Sequence, residues 1–289
     1  MMAFFLLTEN TFHSGYLVNQ WLDEFGTDPE FLGVTLRADP LPEEVLANRA
    51  SFHERLHGRR ELSDMEQREL LALYPDAGDT DFAMVKLLGI PARPVTALDP
   101  GTATFLGHDL NSARAEAWLT AMSQAHERLH GFVFLDRLLA SWWIKTTAGM
   151  LFNAHSAVLP HARGMFAIEQ VAARADAEYF RRAAGATVHF VDEGVDTGPI
   201  VRAERLDDPF AAESIWECKG RSFATGFRLL TEVARDAQAS RIAPPTPQTD
   251  GTEDREPGPE FKRRDFAQAT KAAAERGYLE MRRRAKAGP

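Results

Sequence analysis

The feature that most constrains the fold is the alternation of short apolar runs with longer stretches of helical periodicity. Phe4 to Leu7, Phe31 to Leu36 and Gly131 to Leu135 are short and apolar, as buried strands are. Gly15 to Phe25 instead repeats its apolar residues at the spacing of one helix face. Strands that alternate with helices are typical of α/β folds, in which helices connect parallel strands. We therefore expect a mostly parallel sheet.

The same patterns predict the remaining elements. We expect two helices within Pro42 to Leu73, and we expect Asn111 to cap a helix that continues through Leu129. Further expected helices are Phe82 to Leu88, Leu139 to Thr147 and Met165 to Ala184, and further expected strands are Ala92 to Val95, Met150 to Phe152, Thr187 to Val191 and Pro199 to Arg205.

The composition shifts beyond the last of these strands. Ala211 to Ala239 forms one helix-favouring stretch, and Lys262 to Lys286 forms another that is locally basic. Between them, a segment of about residues 244–259 is dense in Pro, Gly, Asp, Glu and Thr, which predicts a mobile linker. We therefore expect a catalytic domain over residues 1–206 and a mainly helical C-terminal extension over residues 207–289.

Charge and cysteine content limit the classes of function. The net charge of −9 argues against a protein whose main role is to grip a phosphate backbone, so a nucleic-acid partner is not expected. Cys218 is the single cysteine, which favours a reducing compartment. The apolar start, Met1 to Leu7, is too short for a secretory or membrane-spanning segment. We expect a cytoplasmic protein without membrane contact, and a homodimer stays open.

Two segments carry residues suited to chemistry. The first is Asn153-Ala154-His155, at the end of an apolar strand, and the second runs from Gly185 to Ile200 and contains Asp196. An amide can stabilise an oxyanion, and an imidazole beside a carboxylate can donate or carry a proton near neutral pH. Together these groups suit acyl transfer through a tetrahedral intermediate. Each motif alone is more often a turn, and His189 is expected to be structural.

The combined pattern is more specific. Asn153-x-His155 with Leu159-Pro160 and Arg163-Gly164, followed by His189-Phe190-Val191 and Asp196-x-Gly198-Pro199, resembles the folate-dependent formyltransferase family. The resemblance covers about Gly131 to Arg205. It implies a Rossmann-like twisted α/β sheet and the transfer of a formyl group from 10-formyltetrahydrofolate, a co-substrate, with no metal.

The resemblance also implies roles for individual residues. Asn153 and a protonated His155 would hold the developing oxyanion, Asp196 would pair with His155, and a water near Asp196 would relay the proton from the amine to N10. The strand-to-helix turn Arg137-Leu138-Leu139 would line the pterin pocket with its backbone. The loop from Val191 to Asp196, with Asp192 and Glu193, would cover its other side.

The acceptor is less defined. The loop from Thr8 to Gly15 lacks the Gly/Ser-rich turn of glycinamide ribonucleotide enzymes and the Gly-Thr-Pro turn of methionyl-tRNA enzymes, and Ser156-Ala157 stands where the family commonly has Pro-Ser. We therefore expect a small-molecule amine as acceptor, such as an amino sugar or an amino-acid-derived metabolite. Two alternatives stay open: hydrolysis of 10-formyltetrahydrofolate, and a repurposed member that binds another ligand or acyl donor.

Overall fold

The computed structural model describes residues 2–95, 103–245 and 258–287. The chain divides into two compact units, residues 1–151 and residues 152–289. The elements of the first unit are β1 (Met2–Glu9), α1 (Ser14–Phe25), β2 (Phe31–Arg37), α2 (Glu43–Leu56), α3 (Asp64–Leu73), α4 (Asp79–Leu88), β3 (Ala103–Phe105), α5 (Ala113–Ala125), β4 (Arg128–Phe134) and α6 (Ser141–Thr146).

The first unit contains the parallel sheet that the sequence predicts. β1 pairs with β2 on one side and with β4 on the other, β2 pairs with β3, and all three pairings are parallel. β1 lies at the centre, and its residues Phe4 to Leu7 are completely buried. The rings of Trp21 and Phe132 lie 6.2 and 6.1 Å from that of Phe4, so helix α1 and strand β4 share one aromatic core. The Rossmann-like α/β arrangement is confirmed.

Two local predictions in this unit are wrong. No strand forms over Ala92 to Val95, where Pro94 interrupts the segment and lacks the N–H that a strand interior needs; β3 is the edge strand instead. Ser112, not Asn111, caps α5 by accepting the Ala115 N–H, and the helix ends at Ala125 rather than Leu129.

The elements of the second unit are β5 (Leu151–His155), β6 (Arg163–Gly164), α7 (Ala167–Ala172), α8 (Ala177–Ala183), β7 (Gly185–Phe190), β8 (Ile200–Arg205), α9 (Ile215–Gln238), β9 (Glu260–Phe261) and α10 (Gln268–Ala287). β5 and β8 both pair with β7 in antiparallel orientation, and β6 pairs with β9 in parallel orientation. The strands expected over Thr187 to Val191 and Pro199 to Arg205 therefore pair with each other in antiparallel orientation.

Helices make up most of the second unit beyond β8, as predicted. The expected helix over Met165 to Ala184 is divided into α7 and α8, because Ala175 between them has a positive φ of 54° that no α-helix contains. α10 packs closely on α7: a side chain at Gly277 would place its Cβ 2.2 Å from the Ala172 carbonyl oxygen. No described helix is both long and apolar enough to cross a bilayer.

The domain boundary at residue 206 stays a prediction. Most of the predicted linker, residues 246–257, lies outside the described residues. Gly258 and Pro259, at the end of that segment, lead directly into β9.

Close packing around Gly131 gives a first testable prediction. A Cβ at this position would lie 2.5 Å from Leu151 Cδ1 and 2.8 Å from Phe5 Cζ, and both side chains are completely buried. Gly131→Ala should therefore lower the free energy of unfolding by about 1–3 kcal/mol through overpacking. Urea unfolding should show a lower midpoint at an unchanged m-value. A midpoint equal to that of the wild type would contradict this packing.

Candidate active site

Strands β5 and β7 place three polar side chains on one face. Asn153 lies directly opposite His189 in the antiparallel register, and opposite residues share a face. His155 follows Asn153 by two residues and therefore points to the same side. The motif was predicted at the end of a strand over Met150 to Phe152. The strand instead continues through His155, so that the motif forms its last three residues.

Asp196 reaches this group from the loop between β7 and β8. Its Oδ2 accepts the Gly164 N–H at 2.8 Å and lies 3.3 Å from His155 Nδ1. Its Oδ1 lies 3.3 Å from His189 Nε2 and 3.5 Å from Asn153 Nδ2. The backbone of Asp196 has a positive φ of 51°, a conformation that costs a non-glycine residue free energy and is found preferentially at functional sites. The three side chains predicted to be catalytic thus meet at one carboxylate.

The His155 ring is enclosed by two acceptors. Its Nε2 donates to the Ala162 carbonyl oxygen at 2.9 Å, because a carbonyl can only accept. Its Nδ1 faces the Asp196 carboxylate on the other side of the ring. Both nitrogens therefore have partners within the protein, and the side chain is 8% exposed.

Burial and charge act on this pair in opposite directions. Burial has the largest effect on His155 and lowers its pKa, while the Asp196 carboxylate raises it. Burial alone would raise the pKa of Asp196, but the two facing histidines and the Gly164 N–H together hold it below its usual range. The low pKa of His155 favours a neutral ring, whereas the low pKa of Asp196 depends on a charged one. The 3.3 Å separation of His155 Nδ1 from Asp196 Oδ2 favours the ion pair, because opposite charges at this distance stabilise each other at a buried site.

Asn153 retains unused hydrogen-bonding capacity. Its Nδ2 lies 3.2 Å from His189 Nε2 and 3.5 Å from Asp196 Oδ1, so its two N–H donors are directed at that ring and at that carboxylate. Its Oδ1 is buried and has no hydrogen-bond partner among the residues that the structure describes. An unpaired buried oxygen costs about 1–3 kcal/mol. Buried polar atoms in native structures are usually hydrogen-bonded. A ligand that donates a hydrogen bond to this oxygen would explain why it has no partner in the protein.

His189 lies beside Asn153, His155 and Asp196, although it was predicted to be structural. Its Nδ1 donates to the Phe190 carbonyl oxygen at 2.8 Å, which fixes the ring, and its Nε2 points at Asn153 and Asp196. The sequence contains an indication of this role, because His189 and Asn153 are polar residues within two otherwise apolar predicted strands.

The residues predicted to bind the donor lie in separate parts of the chain. Arg137 and Leu138 are exposed and Leu139 is buried, in the turn that follows β4 in the first unit. Asn111 fixes this turn by donating to the Leu138 carbonyl at 3.1 Å and accepting the Ala140 N–H at 2.7 Å.

The second group predicted to bind the donor follows β7 in the second unit. Val191 and Asp192 are half-buried and Glu193 is exposed. Asp192 accepts the Thr197 hydroxyl at 2.8 Å and the Gly194 N–H at 3.1 Å, which closes this loop on itself.

A second polar cluster in the first unit was not predicted. Arg37 at the end of β2 bonds to Glu9 at the end of β1, and its Nη1 lies 3.1 Å from Asp136 Oδ1, just after β4. Burial raises the pKa of Glu9 to about 7, Asp136 adds to this effect and Arg37 opposes it. These strand ends form the edge at which open α/β sheets bind ligands. The three residues lie too far apart in sequence for a motif to reveal them.

Comparisons with known proteins match part of this chain to formyltransferases. Residues 96–207 match the family model described as formyl transferase. A phosphoribosylglycinamide formyltransferase of Bacillus subtilis (strain 168) is 34% identical over 108 residues, which cover 36% of this chain and 53% of that relative. The chain thus matches about half the length of this curated relative.

Solved structures share the fold at low identity. A sugar N-formyltransferase of a Shewanella species has a TM-score of 0.53 at 12% identity and covers 96% of this chain and 89% of its own. An N-formyltransferase of Helicobacter canadensis, in complex with folinic acid and dTDP-3-aminofucose, has a TM-score of 0.51 at 12% identity, with 96% and 81% covered. These similarities support the predicted fold.

The Asp196 carboxylate gives a prediction about the His155 ring. Asp196→Asn keeps the shape of the side chain but removes the charge that opposes burial, so the pKa of His155 should fall further. An NMR titration of the ring, assigned by comparison with His155→Gln, should show its midpoint at lower pH. Glu193→Gln removes an exposed carboxylate from the same loop and should leave the midpoint unchanged. A raised or unaltered midpoint in Asp196→Asn would contradict the pairing.

Proposed function

Since residues 96–207 of this chain match the formyl transferase family model, we propose that the protein transfers a formyl group from 10-formyltetrahydrofolate to the amine of a small-molecule acceptor. The observation that carries the proposal is the convergence of Asn153 and His155 on the Asp196 carboxylate, at 3.5 Å or less. These groups can act on a carbonyl without any enzyme nucleophile.

The unused capacity of Asn153 fits a formyl donor. Its N–H groups are directed at His189 at 3.2 Å and at Asp196 at 3.5 Å. The N–H on the longer of these two contacts can donate instead to the formyl oxygen as negative charge develops on it. The unpaired Oδ1 can accept an N–H from the attacking amine. One amide would then hold the nucleophile and the oxyanion together, which removes much of the entropic barrier to their reaction.

His155 acts mainly through its charge in this proposal. Both ring nitrogens have partners in the protein, Ala162 and Asp196, so the imidazolium stabilises the oxyanion electrostatically and holds the carboxylate in position. Direct donation to the formyl oxygen would require the ring to give up one of these partners. The family resemblance implied direct donation, and the distances favour the indirect role.

Asp196 assists the transfer of a proton from the amine to N10. The amine attacks the formyl carbon and forms the new C–N bond, and the bond from that carbon to N10 then breaks. The amine loses one proton and N10 gains one, so a water held by the carboxylate can relay the proton between them without net change. Because the neighbouring groups hold the pKa of Asp196 below its usual range, the carboxylate stays ionised and accepts hydrogen bonds throughout.

Donor binding by the backbone of Arg137 to Leu139, and separately by that of Val191 to Glu193, stays a prediction from the family resemblance. A pterin presents an amide-like edge that backbone N–H and C=O groups can recognise. Leu138 is 57% exposed and its backbone is held by Asn111, which suits a preformed contact with an aromatic ligand.

An amino sugar is the acceptor class that we favour. The two structural relatives at TM-scores of 0.53 and 0.51 are named as N-formyltransferases, one for sugars and one in complex with an aminofucose nucleotide. The loop after β1 also makes a poor phosphate cradle, because the hydroxyls of Thr8 and Thr11 bond to that of Ser14. An acceptor read mainly through a terminal phosphate is therefore not favoured.

An acceptor screen tests the reaction. The protein is incubated with 10-formyltetrahydrofolate and panels of amino sugars, sugar-nucleotide amines and amino-acid-derived amines. Release of tetrahydrofolate by absorbance and a formyl mass shift on one amine are the expected results. Release that needs no amine would identify a hydrolase, and no release under any condition would overturn the proposed function.

Asn153→Ala provides the mechanistic prediction. Loss of an oxyanion donor should lower kcat about 10²- to 10³-fold, while KM for the donor changes little because the amide does not contact the pterin in this proposal. Steady-state assays with the amine found in the screen measure both constants. Asp207→Ala, an exposed change in the same unit, serves as the control and should retain wild-type rates. Wild-type kcat in Asn153→Ala would remove Asn153 from the mechanism.

A further inference from the structure

A short C-terminal segment, residues 258–262, runs beside β6, and we call it the strap. β9, the strand within it, pairs with β6 in parallel orientation. Further backbone hydrogen bonds join the two segments. Gly258 N donates to Pro160 O at 2.9 Å, Arg163 N to Pro259 O at 3.2 Å, and Met165 N to Phe261 O at 2.9 Å. Residues 160–165 are therefore bound along their length to the strap.

The opposite edge of residues 160–165 holds the catalytic side chains. The Ala162 carbonyl accepts from His155 Nε2, and the Gly164 N–H donates to Asp196 Oδ2. Backbone groups of an extended chain alternate between its two sides. Arg163 and Met165 accordingly face the strap, whereas Ala162 and Gly164 face the active site. This single extended segment therefore contacts the strap on one side and both members of the ion pair on the other.

The contact between the segments is too close for side chains. A Cβ on Gly258 would lie 2.2 Å from the His161 carbonyl oxygen and 2.3 Å from that of Pro160. A Cβ on Gly164 would lie 2.1 Å from the Phe261 carbonyl oxygen, and Gly164 also has a positive φ of 83°. Glycine on both sides of the interface allows the two backbones to approach to hydrogen-bonding distance.

The strap is anchored at its other end. Phe261 lies in the core formed by α7, α8 and α10. The ring of Phe266, just beyond the strap, stacks on that of Phe166 with 4.4 Å between centroids. Arg163 adds a side-chain link, since its guanidinium lies 3.4 Å both from Gly258 O and from Val195 O, next to Asp196. The strap is thus continuous with the packed helical part of the second unit.

We propose that the strap is a positioning element for formyl transfer, and that Gly258 and the β6–β9 pairing fix the Ala162 carbonyl and the Gly164 amide that orient His155 and Asp196. The inference rests on the proposed function of these two side chains. The strap itself does not touch the reacting atoms in this arrangement. It acts only through the backbone of residues 160–165.

Two substitutions at Gly258 test the proposal. Gly258→Ala and Gly258→Val place increasing bulk against the carbonyls of Pro160 and His161 and should displace the strap in steps. We expect kcat to fall about 10- to 100-fold, since a displacement of about 1 Å at a catalytic group costs that much, while KM changes little. Glu260→Ala is the matched control, because its exposed side chain lies on the same strand, 3.8 Å from Lys262 Nζ, and such surface pairs contribute little. It should retain the wild-type kcat.

A titration of His155 gives a readout that loss of folding would not mimic. Burial lowers the pKa of His155 most strongly, and the Asp196 carboxylate and the Ala162 carbonyl oppose it. A displacement of the strap that weakens these two contacts should therefore move the NMR midpoint to lower pH. The other charged groups that act on the ring are His189 on β7 and Lys219 on α9, and neither is changed in these variants. Circular dichroism and thermal unfolding establish whether the variants are folded. If Gly258→Val is not folded, the result for Gly258→Ala alone tests the proposal.

The outcomes separate the two proposals. A graded fall in kcat with a graded shift of the His155 midpoint supports the strap. A folded Gly258 variant with wild-type kcat and midpoint overturns it, as would an equal effect in Glu260→Ala. If the wild-type protein transfers no formyl group, the proposed function fails, yet the His155 titration still reports whether the strap positions the pair.

Discussion

The second unit is organised around one nearly buried carboxylate. Asp196 is 14% exposed, and an ionised carboxylate in such a place is costly unless its oxygens are well satisfied. Its four partners come from three places in the chain: the Gly164 amide, His155 and Asn153 on β5, and His189 on β7. Each of these groups is therefore constrained to one position. The same constraint that stabilises the charge also gives the site its geometry.

Part of this site could be predicted because its chemistry is carried by side chains. Asn153, His155 and Asp196 are unusual residues at strand ends and in a tight loop, so their types and spacing indicate acyl-transfer chemistry. The Ala162 carbonyl and the Gly164 amide hold two of these side chains and carry no such signal. Any residue except proline has a backbone donor and acceptor, so only the folded chain reveals which ones are used.

The fold shows the same division between local and long-range information. The burial of β1 and the periodicity of α1 follow from local patterns, and both elements were predicted. The break between α7 and α8 was not, because Ala175 is a good helix former that adopts a positive φ only in its folded context. Asn111 was predicted to cap a helix and instead links two segments that are 27 residues apart or more. Capping propensity does not distinguish these uses.

The C-terminal segment illustrates the limit most clearly. The composition around residues 244–259 predicts a linker, and no sequence pattern indicates that Gly258 and Pro259 contact the segment that carries the active site. Parallel pairing of two short strands depends on contacts about 97 residues apart, since Arg163 faces Glu260. The glycines at this interface look like ordinary loop residues in sequence. Because their missing side chains permit the backbones to meet, the residue type that favours flexibility in a linker here permits two segments to pair closely.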